Sequence, residues 1–529
     1  MASRLATLAA AALALSAIPL GAQSPGTPSA SAPPTLIVFL TIDQMRPDYL
    51  VRWDRQLTGG LARLYRGGAV FTHAYQDHAI TETAPGHSVT MSGRFPSSTG
   101  ITMNSAGVND TSARLIGGGG PGASPFRFRG TVLMDWLDAK DPRSRGLSVS
   151  RKDRGAILPL GRARQEVYWY AADGRFTTSS YYRDTLPSWV QAFNARRLPE
   201  RYAGTEWTLL RPARDYAEAD TVFVENGGND LVFPHALPRD STDAARILPN
   251  YPMMDEVTLQ AALAGVQALH LGDGPQTDVL AVSLSTTDAV GHAFGPDSRE
   301  IHDQILRLDR YLGVFLDSLF KLRDSTRVVV ALTADHGVQP YPQIHAERTG
   351  GAATFVDLRP AALEVGRALA ARGMTTNAFR LEEGILTADR AALAGAHIDA
   401  DSLLDAFAAT VRKVPGVARV ERVRDLARAD TTHDFVARRW YHMLPPDLHA
   451  DLVVTLEPYA YWTGVTYATH GSPNDEDAHV PIIFYGPMIR PGHYDGRALV
   501  VDMAPTLARI AGVQPSERVD GRVLTQILR

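Results

Sequence analysis

Cysteine is absent from this chain of 529 residues. Its absence excludes disulfides, zinc–thiolate centres and cysteine nucleophiles. The chain also lacks a strong excess of either charge, because 53 Lys and Arg and 57 Asp and Glu leave a formal net charge of -4. This balance gives no reason to expect nucleic acid or an anionic membrane as a partner. Hydrophobic residues make up 45% of the chain, which is enough for a large core.

Long hydrophobic runs are missing everywhere except at the N-terminus, where Leu5 to Leu20 is apolar and rich in alanine. With its weakly basic start and the small residues Gly21 and Ala22, the range 1–22 predicts a secretory signal peptide. The alternative is a membrane anchor, but the run is shorter than the ~20 residues that a span needs. A linker rich in Ser, Pro and Ala follows at 23–34. We therefore expect a periplasmic or secreted protein without a stable membrane anchor.

Three short apolar runs, at 35–42, 278–284 and 327–334, are each followed by residues that can bind metals. These residues, with one more far downstream, are Asp43, Asp288, His292, Asp335, His336 and His470. Such runs are typical of buried parallel strands. In open α/β sheets, ligands bind beyond the carboxyl ends of the strands. Oxygen and nitrogen ligands that converge there, with no thiol available, predict a two-metal hydrolytic site.

The order of elements predicts an α/β fold. Apolar residues from Ile301 to Leu319 recur at helical spacing between the second and third of these runs, which gives a βαβ pattern and a mostly parallel sheet. A second α/β pattern at about 377–458 predicts an inserted lobe, and the aromatic, Pro-rich and charged stretch at about 182–251 predicts a cap. We expect one catalytic domain over 35–529 that carries both insertions.

The segment Thr83-Ala84-Pro85-Gly86-His87 precedes an apolar stretch, and Pro85 suits the first turn of a helix. A threonine there lies near free backbone N–H groups that favour an anion. A metal would lower the pKa of its hydroxyl and make it a nucleophile. The plain alternative is an N-cap residue. His87 is expected to support the helix turn.

With Asn104 following Thr83 by 21 residues, this segment resembles the nucleophile segment of the alkaline phosphatase superfamily. It is similar to both the nucleotide pyrophosphatase/phosphodiesterase branch and the threonine-nucleophile, PafA-type alkaline phosphatases. The six Asp and His residues match the metal ligands of the superfamily in order. The resemblance implies an alkaline-phosphatase-like three-layer sandwich with a mostly parallel central sheet and inserted cap and lobe segments. Thr81 is the alternative nucleophile, but its spacing of 23 to Asn104 disfavours it.

The resemblance also implies roles for these residues. It implies one Zn²⁺ held by Asp288, His292 and His470. It implies a second Zn²⁺ held by Asp43, Asp335 and His336, with the oxygen of Thr83 as a further ligand. Physical chemistry agrees, because an Asp and a His at i and i+4 of a helix face the same way and both donor types suit zinc.

Lys152 and Arg154 resemble the Lys-x-Arg motif that separates the PafA-type phosphatases from the phosphodiesterases. Lys supplies a point charge and Arg a planar fork of donors for the oxygens of a phosphate monoester. Their i, i+2 spacing is expected to place both on one side of an extended strand. The alternative is a solvated run of charges. By the resemblance, Asn104, Lys152 and Arg154 bind the phosphate oxygens.

These features predict an exported two-zinc alkaline phosphatase that hydrolyses small-molecule phosphate monoesters through a phosphothreonine. A phosphodiesterase or nucleotide pyrophosphatase on the same scaffold is the alternative enzyme, and a metal-dependent binding protein with a decayed site is the alternative from another class. A sulfatase is disfavoured, because Thr83 replaces the Cys or Ser that sulfatases modify and His87 stands where they have Arg.

Overall fold

A computed structural model describes residues 32–117, 119–374 and 378–529. The expected signal peptide at 1–22, the linker at 23–34 as far as residue 31, and the expected lobe boundary at residue 377 lie outside the described residues. From residue 33 onward the chain forms one compact unit. Within the described ranges, no helix combines the length and the apolar character that crossing a bilayer requires.

The strands of the described residues are β1 Leu36–Ile42, β2 Ala69–Phe71, β3 Ala74–Tyr75, β4 Leu115–Ile116, β5 Gly146–Ser150, β6 Glu166–Tyr170, β7 Phe176–Ser179, β8 Glu206–Trp207, β9 His235–Ala236, β10 Asp278–Leu284, β11 Val328–Thr333, β12 Phe355–Val356, β13 Phe379–Glu382, β14 Ile385–Ala388, β15 Val417–Arg422, β16 Leu452–Leu456, β17 Tyr461–Trp462, β18 Ile482–Tyr485, β19 Gly492–Tyr494 and β20 Ala498–Leu499.

The α-helices of the described residues are α1 Asp48–Arg52, α2 Gly60–Gly67, α3 Thr83–Thr90, α4 Pro96–Thr99, α5 Leu133–Lys140, α6 Asp153–Ile157, α7 Ser188–Ala195, α8 Ser241–Ile247, α9 Met253–Ala268, α10 Thr286–Phe294, α11 Arg299–Leu322, α12 Pro342–Thr349, α13 Arg359–Ala370, α14 Arg390–Gly395, α15 Ala400–Val411, α16 Val423–Leu426, α17 Phe435–Met443, α18 Asp475–Ala478 and α19 Met503–Ala511.

A ten-stranded sheet forms the centre of the fold, in the order β19-β2-β18-β11-β1-β10-β5-β6-β7-β4. Its middle strands, from β11 to β6, are parallel. Antiparallel pairs extend the sheet on both sides, through β18 next to β11 and β7 next to β6. The predicted α/β fold with a mostly parallel central sheet is confirmed.

The sequences of the middle strands account for their position. Every residue of β1, β10 and β11 is buried, as expected for parallel strands that are covered on both faces. Helix α11 provides part of the cover and packs against α2 and α9. The helix predicted from Ile301 to Leu319 is confirmed and extends slightly at both ends.

A smaller antiparallel sheet, in the order β13-β14-β16-β15, lies within the stretch at about 377–458 that the sequence predicts to be an inserted lobe, and we call this part of the chain the lobe. The lobe has a hydrophobic core of its own, which includes Leu386, Leu404 and Phe407. The stretch expected to be a cap contains α7, α8 and the short β8–β9 pair, and it buries Trp207.

Candidate active site

The register of the central sheet brings distant segments of the chain to one rim. Strand β1 is in register with β10, with Ile42 opposite Leu284, and with β11, with Thr41 opposite Thr333. Asp43 directly follows β1, Asp335 follows β11 by one intervening residue, and Asp288 lies in the first turn of α10 after β10. Parallel strands in register end at the same level, so these three carboxylates meet although the chain separates them widely.

One set of ligands consists of Asp43, Asp335 and His336, all completely buried. His336 Nε2 lies 3.5 Å from Asp43 Oδ1 and 3.7 Å from Asp335 Oδ2. The three side chains are close enough to hold one metal ion together.

The second set expected from the sequence is Asp288, His292 and His470. Both Asp288 and His292 lie in α10, so the predicted i, i+4 pair forms, with 3.2 Å between Asp288 Oδ1 and His292 Nε2. His470 Nε2 lies 3.3 Å from His292 Nε2 and 3.8 Å from Asp288 Oδ1. The close group that the structure shows here contains Asp288, His470 and His336, without His292, so His336 is common to both groups. The ring of His336 stacks on that of His470 at 3.6 Å between centroids.

The backbone fixes the orientation of all three histidines. Nδ1–H of His292 donates to the Ala468 carbonyl at 2.6 Å, and Nδ1–H of His470 donates to the Thr81 carbonyl at 2.7 Å. His336 donates in the same way to Gly337, at 2.9 Å. In the neutral imidazole, each of these bonds leaves the lone pair on Nε2, the atom that faces the other candidate ligands, and proteins hold histidine ligands of metals in this way.

The charges and unpaired atoms of the site fit metal cations. Three buried carboxylates converge, and Lys152 Nζ lies 2.6 Å from Asp43 Oδ2 and 2.7 Å from Asp288 Oδ2. Burial, together with the charges of Asp288 and Asp335, raises the pKa of Asp43. Asp43 Oδ1 and His336 Nε2 have no hydrogen-bond partner among the described residues. Buried polar atoms of this kind are usually paired or bound to a metal.

Thr83 is buried at the first position of α3, and its Oγ1 lies 3.2 Å from Lys152 Nζ. The helix approaches the metal-ligand rim closely, because a Cβ at Gly86 would lie 2.1 Å from the carbonyl oxygen of Asp335. Only glycine therefore fits at this position. His87 Nδ1 lies 2.9 Å from the Thr83 carbonyl and 3.1 Å from Asp335 Oδ2, so His87 ties the helix to the ligand set.

Asn104 lies over the N-terminus of α3. Its Oδ1 accepts a hydrogen bond from the Ala84 N–H at 2.9 Å, and its own backbone N–H donates to Glu82 Oε2 at 2.6 Å. The bond to Ala84 uses the oxygen of the amide, so the Nδ2 donors stay available to an anion beside Thr83.

Lys152 and Arg154 differ from the expected geometry. Strand β5 ends at Ser150 and α6 begins at Asp153, so Arg154 lies in a helix. The expectation that both side chains leave one side of an extended strand is therefore wrong, because the chain turns into a helix between them. Lys152 reaches Thr83, whereas the guanidinium of Arg154 is partly exposed and lies 3.6 Å from Asp153 Oδ1.

Two supporting residues were not identified from the sequence. Gln44 adopts a φ of 64°, and its backbone N–H donates to Asp335 Oδ1 at 3.1 Å while its Nε2 donates to Asp288 Oδ1 at 3.2 Å. Its position directly after Asp43 is the only signal in the sequence. Glu82 binds the backbone of Asn104 and differs from an ordinary surface acid only by its position next to Thr83.

The hydroxyl of Thr81, the alternative nucleophile, is engaged elsewhere. It donates to the Ser472 carbonyl at 2.9 Å and accepts from the Gly471 N–H at 3.2 Å. With its carbonyl bound to His470, Thr81 holds the loop that carries this histidine. His479 lies near this loop in the sequence, but its Nε2–H donates to the Thr72 carbonyl at 3.0 Å and its ring stacks on Tyr75.

Residues 37–426 match the family described as type I phosphodiesterase / nucleotide pyrophosphatase. The chain is 31% identical over 522 residues to the alkaline phosphatase PhoV of Synechococcus elongatus, covering 95% of this chain and 94% of the relative. It is 29% identical to the alkaline phosphatase PafA of Elizabethkingia meningoseptica, covering 96% of each. The crystal structure of an alkaline phosphatase PafA superposes with a TM-score of 0.86 at 27% identity, over 94% of this chain and 100% of that chain.

These similarities extend over nearly the whole chain and agree with the fold and with the two ligand sets at the sheet rim. The protein therefore belongs to the type I phosphodiesterase / nucleotide pyrophosphatase family within the alkaline phosphatase superfamily, and it is a hydrolase of the phosphatase class.

Proposed function

We propose that this protein is an exported two-zinc alkaline phosphatase that hydrolyses small-molecule phosphate monoesters through a phosphothreonine. The observation that carries the proposal is the juxtaposition of Thr83 Oγ1 with Lys152 Nζ, at 3.2 Å, beside two adjoining sets of Asp and His ligands. Export rests on the sequence of 1–22.

Asp288, His292 and His470 would hold one zinc, and Asp43, Asp335 and His336 the other, with Thr83 as a further ligand. Bound zinc would supply Lewis-acid stabilisation and would lower the pKa of a bound hydroxyl group. Imidazole nitrogens and carboxylate oxygens are the donors that catalytic zinc sites use.

The chain's own residues would carry the chemistry in two displacements. Thr83 Oγ forms a bond to phosphorus while the bond from phosphorus to the ester oxygen breaks, and the proton that leaves the Thr83 hydroxyl is balanced by the one that the released alcohol takes up. Water then attacks phosphorus and the bond from phosphorus to Thr83 Oγ breaks; one proton of the water returns to Thr83, and inorganic phosphate is released. Lys152 Nζ and the Nδ2 donors of Asn104 would bind the non-bridging oxygens, and they act most when negative charge develops in the transition state.

Arg154 would complete this set of donors, but its guanidinium is partly exposed. A side chain of this length can swing towards a dianion. A phosphate monoester carries nearly two negative charges, whereas a diester carries one and has a second substituent. Lys152 and Arg154 together therefore favour the monoester.

The alternative function is phosphodiesterase activity on the same scaffold. The match to a family described as type I phosphodiesterase / nucleotide pyrophosphatase supports this alternative. Turnover of p-nitrophenyl phosphate against bis(p-nitrophenyl) phosphate by the zinc-loaded protein decides between the two. We expect the higher kcat/KM for the monoester. A preference for the diester would overturn the assignment, and turnover of neither ester would indicate a binding protein with a decayed site.

A further inference from the structure

A cavity of about 650 Å³ lies between the site and the lobe, and we call it the lobe-side cavity. Asn104, His292 and His470 line one wall. Two indoles of the lobe region also line it, those of Trp462 and of Trp440, of which Trp440 is only 2% exposed. Under the proposed mechanism the leaving group points away from Thr83, across the ligand set that contains His292 and His470. This cavity is therefore suited to receive it.

Aromatic rings form much of the lobe-side cavity. The indole of Trp440 is held by a hydrogen bond from its Nε1 to Thr455 Oγ1 at 2.8 Å. A Cβ at Gly384 would lie 3.8 Å from Trp440 Cη2 and 3.9 Å from Trp462 Cζ2, so the turn at Gly384 rests against both indoles. Tyr467 is 48% exposed, and its ring lies edge-on to His292 at 5.2 Å between centroids.

The cavity contains acids but no strong base. Glu82 and Glu383 line it together with the imidazoles of His292 and His470, and none of its described lining residues is Lys or Arg. In the part of the chain that the structure describes, the carboxylate of Glu383 takes part in no ion pair. Glu383 directly precedes Gly384, the residue at which the chain turns against the indoles of Trp440 and Trp462. Burial, with the charges of Glu82 and Glu382, raises the pKa of Glu383 to about 7. A cation placed in the cavity would offset this repulsion.

The neighbouring acid Glu382 is different. It accepts a hydrogen bond from Ser105 Oγ at 3.2 Å and forms an ion pair with Arg380. Glu382 is absent from the lining of the lobe-side cavity. It is therefore a matched control for Glu383, one position away and of the same charge.

A second cavity, of about 600 Å³, also reaches His292, but Arg151 and His235 are among its lining residues. Its polar groups include donors and cations as well as acids. It therefore lacks the combination of aromatic rings and unpaired acid that distinguishes the lobe-side cavity.

We propose that the lobe-side cavity binds the cationic leaving group of an alkylammonium phosphate monoester, of which choline phosphate and ethanolamine phosphate are the simplest examples. Because it rests on the proposed phosphatase activity, this assignment deepens that function. Aromatic walls with a nearby carboxylate are the arrangement by which proteins recognise quaternary ammonium groups. The ester is a dipole, with its phosphoryl end at Lys152 and its ammonium end between Glu383 and the indoles.

The experiment compares choline phosphate with neohexyl phosphate, in which carbon replaces the quaternary nitrogen. For the zinc-loaded protein we expect kcat/KM to be ~10-fold higher for the cationic ester, the effect of one favourable cation contact in a partly desolvated site. Glu383→Gln and Trp462→Leu should each bring this ratio towards one. Glu382→Gln should leave the ratio at its wild-type value.

A wild-type ratio near one would overturn the proposal, as would Glu383→Gln and Glu382→Gln lowering the ratio equally. A second readout is independent of turnover: calorimetry should detect tetramethylammonium binding that Glu383→Gln weakens and Glu382→Gln does not. If tetramethylammonium binds in this way but no monoester is hydrolysed, the proposed phosphatase function fails and the cation site stands. If esters are hydrolysed without cation preference or tetramethylammonium binding, only the cation site fails.

Discussion

Replacing Lys152 is the sharpest test of how the site selects its substrate. The side chain is only 10% exposed, and its ammonium is held by Asp43 and Asp288 at 3.2 Å from Thr83 Oγ1. Lys152→Ala removes one charge-assisted donor from a buried position beside Thr83, the proposed nucleophile. Loss of such a donor typically costs on the order of 3 kcal/mol of transition-state stabilisation, which is ~100-fold in rate.

We expect kcat/KM for p-nitrophenyl phosphate to fall by about that factor. The fall for bis(p-nitrophenyl) phosphate should be much smaller, because esterification removes one of the charged oxygens. Zinc content should not fall, since removing a cation beside Asp43 and Asp288 cannot weaken their attraction for a metal. Lys413→Ala, a change in the lobe, serves as the control. Equal losses for both esters at unchanged zinc content would refute the reasoning and restore the phosphodiesterase alternative.

Three further predictions concern the nucleophile, the metals and the junction with the lobe. Thr83→Ala should retain zinc, because six other ligands remain, but lose most turnover; near-wild-type activity would exclude Thr83 as the nucleophile. Elemental analysis should find close to two zinc ions per chain, and chelation should abolish activity reversibly; a content of one would contradict the two-metal site. Asp77→Ala should destabilise the fold by about 3–5 kcal/mol in urea titrations, because it leaves Arg438, which lies 2.7 Å from Asp77 Oδ2, and Arg497 without their buried partner. Although burial opposes ionisation, hydrogen bonds from His442 and Arg438 hold the pKa of Asp77 far below its ordinary value of 3.8. The stability that Asp77 contributes should therefore be fully present above pH 3.8 and be lost as the pH falls below that value. Over this acidic range, the free energy of unfolding should fall more for wild type than for Asp77→Ala.

The central sheet was predictable because its middle strands are continuous apolar runs, the pattern expected of strands that are buried on both faces. The short apolar runs that precede Asp43 and Asp335 are typical of strands in a covered parallel sheet. The pair of Asp288 and His292 was predictable on the condition that Asp288 lies in a helix, because residues at i and i+4 of a helix face the same way. Local pattern was sufficient in both cases.

The orientation of Lys152 and Arg154 was not predictable from their spacing. The spacing has the expected meaning only if the strand continues, and nothing in the sequence shows that β5 ends at Ser150. Gln44 was missed because its role arises from two carboxylates that belong to other segments of the chain. Glu383 was missed for a similar reason, since its significance depends on the indoles of Trp440 and Trp462, which only the folded lobe brings together.

Because the site is assembled at the ends of strands from distant parts of the chain, the order of folding determines when the site can form. Its ligands extend from Asp43 to His470, so no short stretch of chain contains either complete set. Closing loops of this length carries a large entropic cost, which only the finished sheet and its covering helices repay. Metal binding by the proposed sets would therefore be a late event in folding. If the chain is exported unfolded, as we propose, it would bind metal only after it has crossed the membrane.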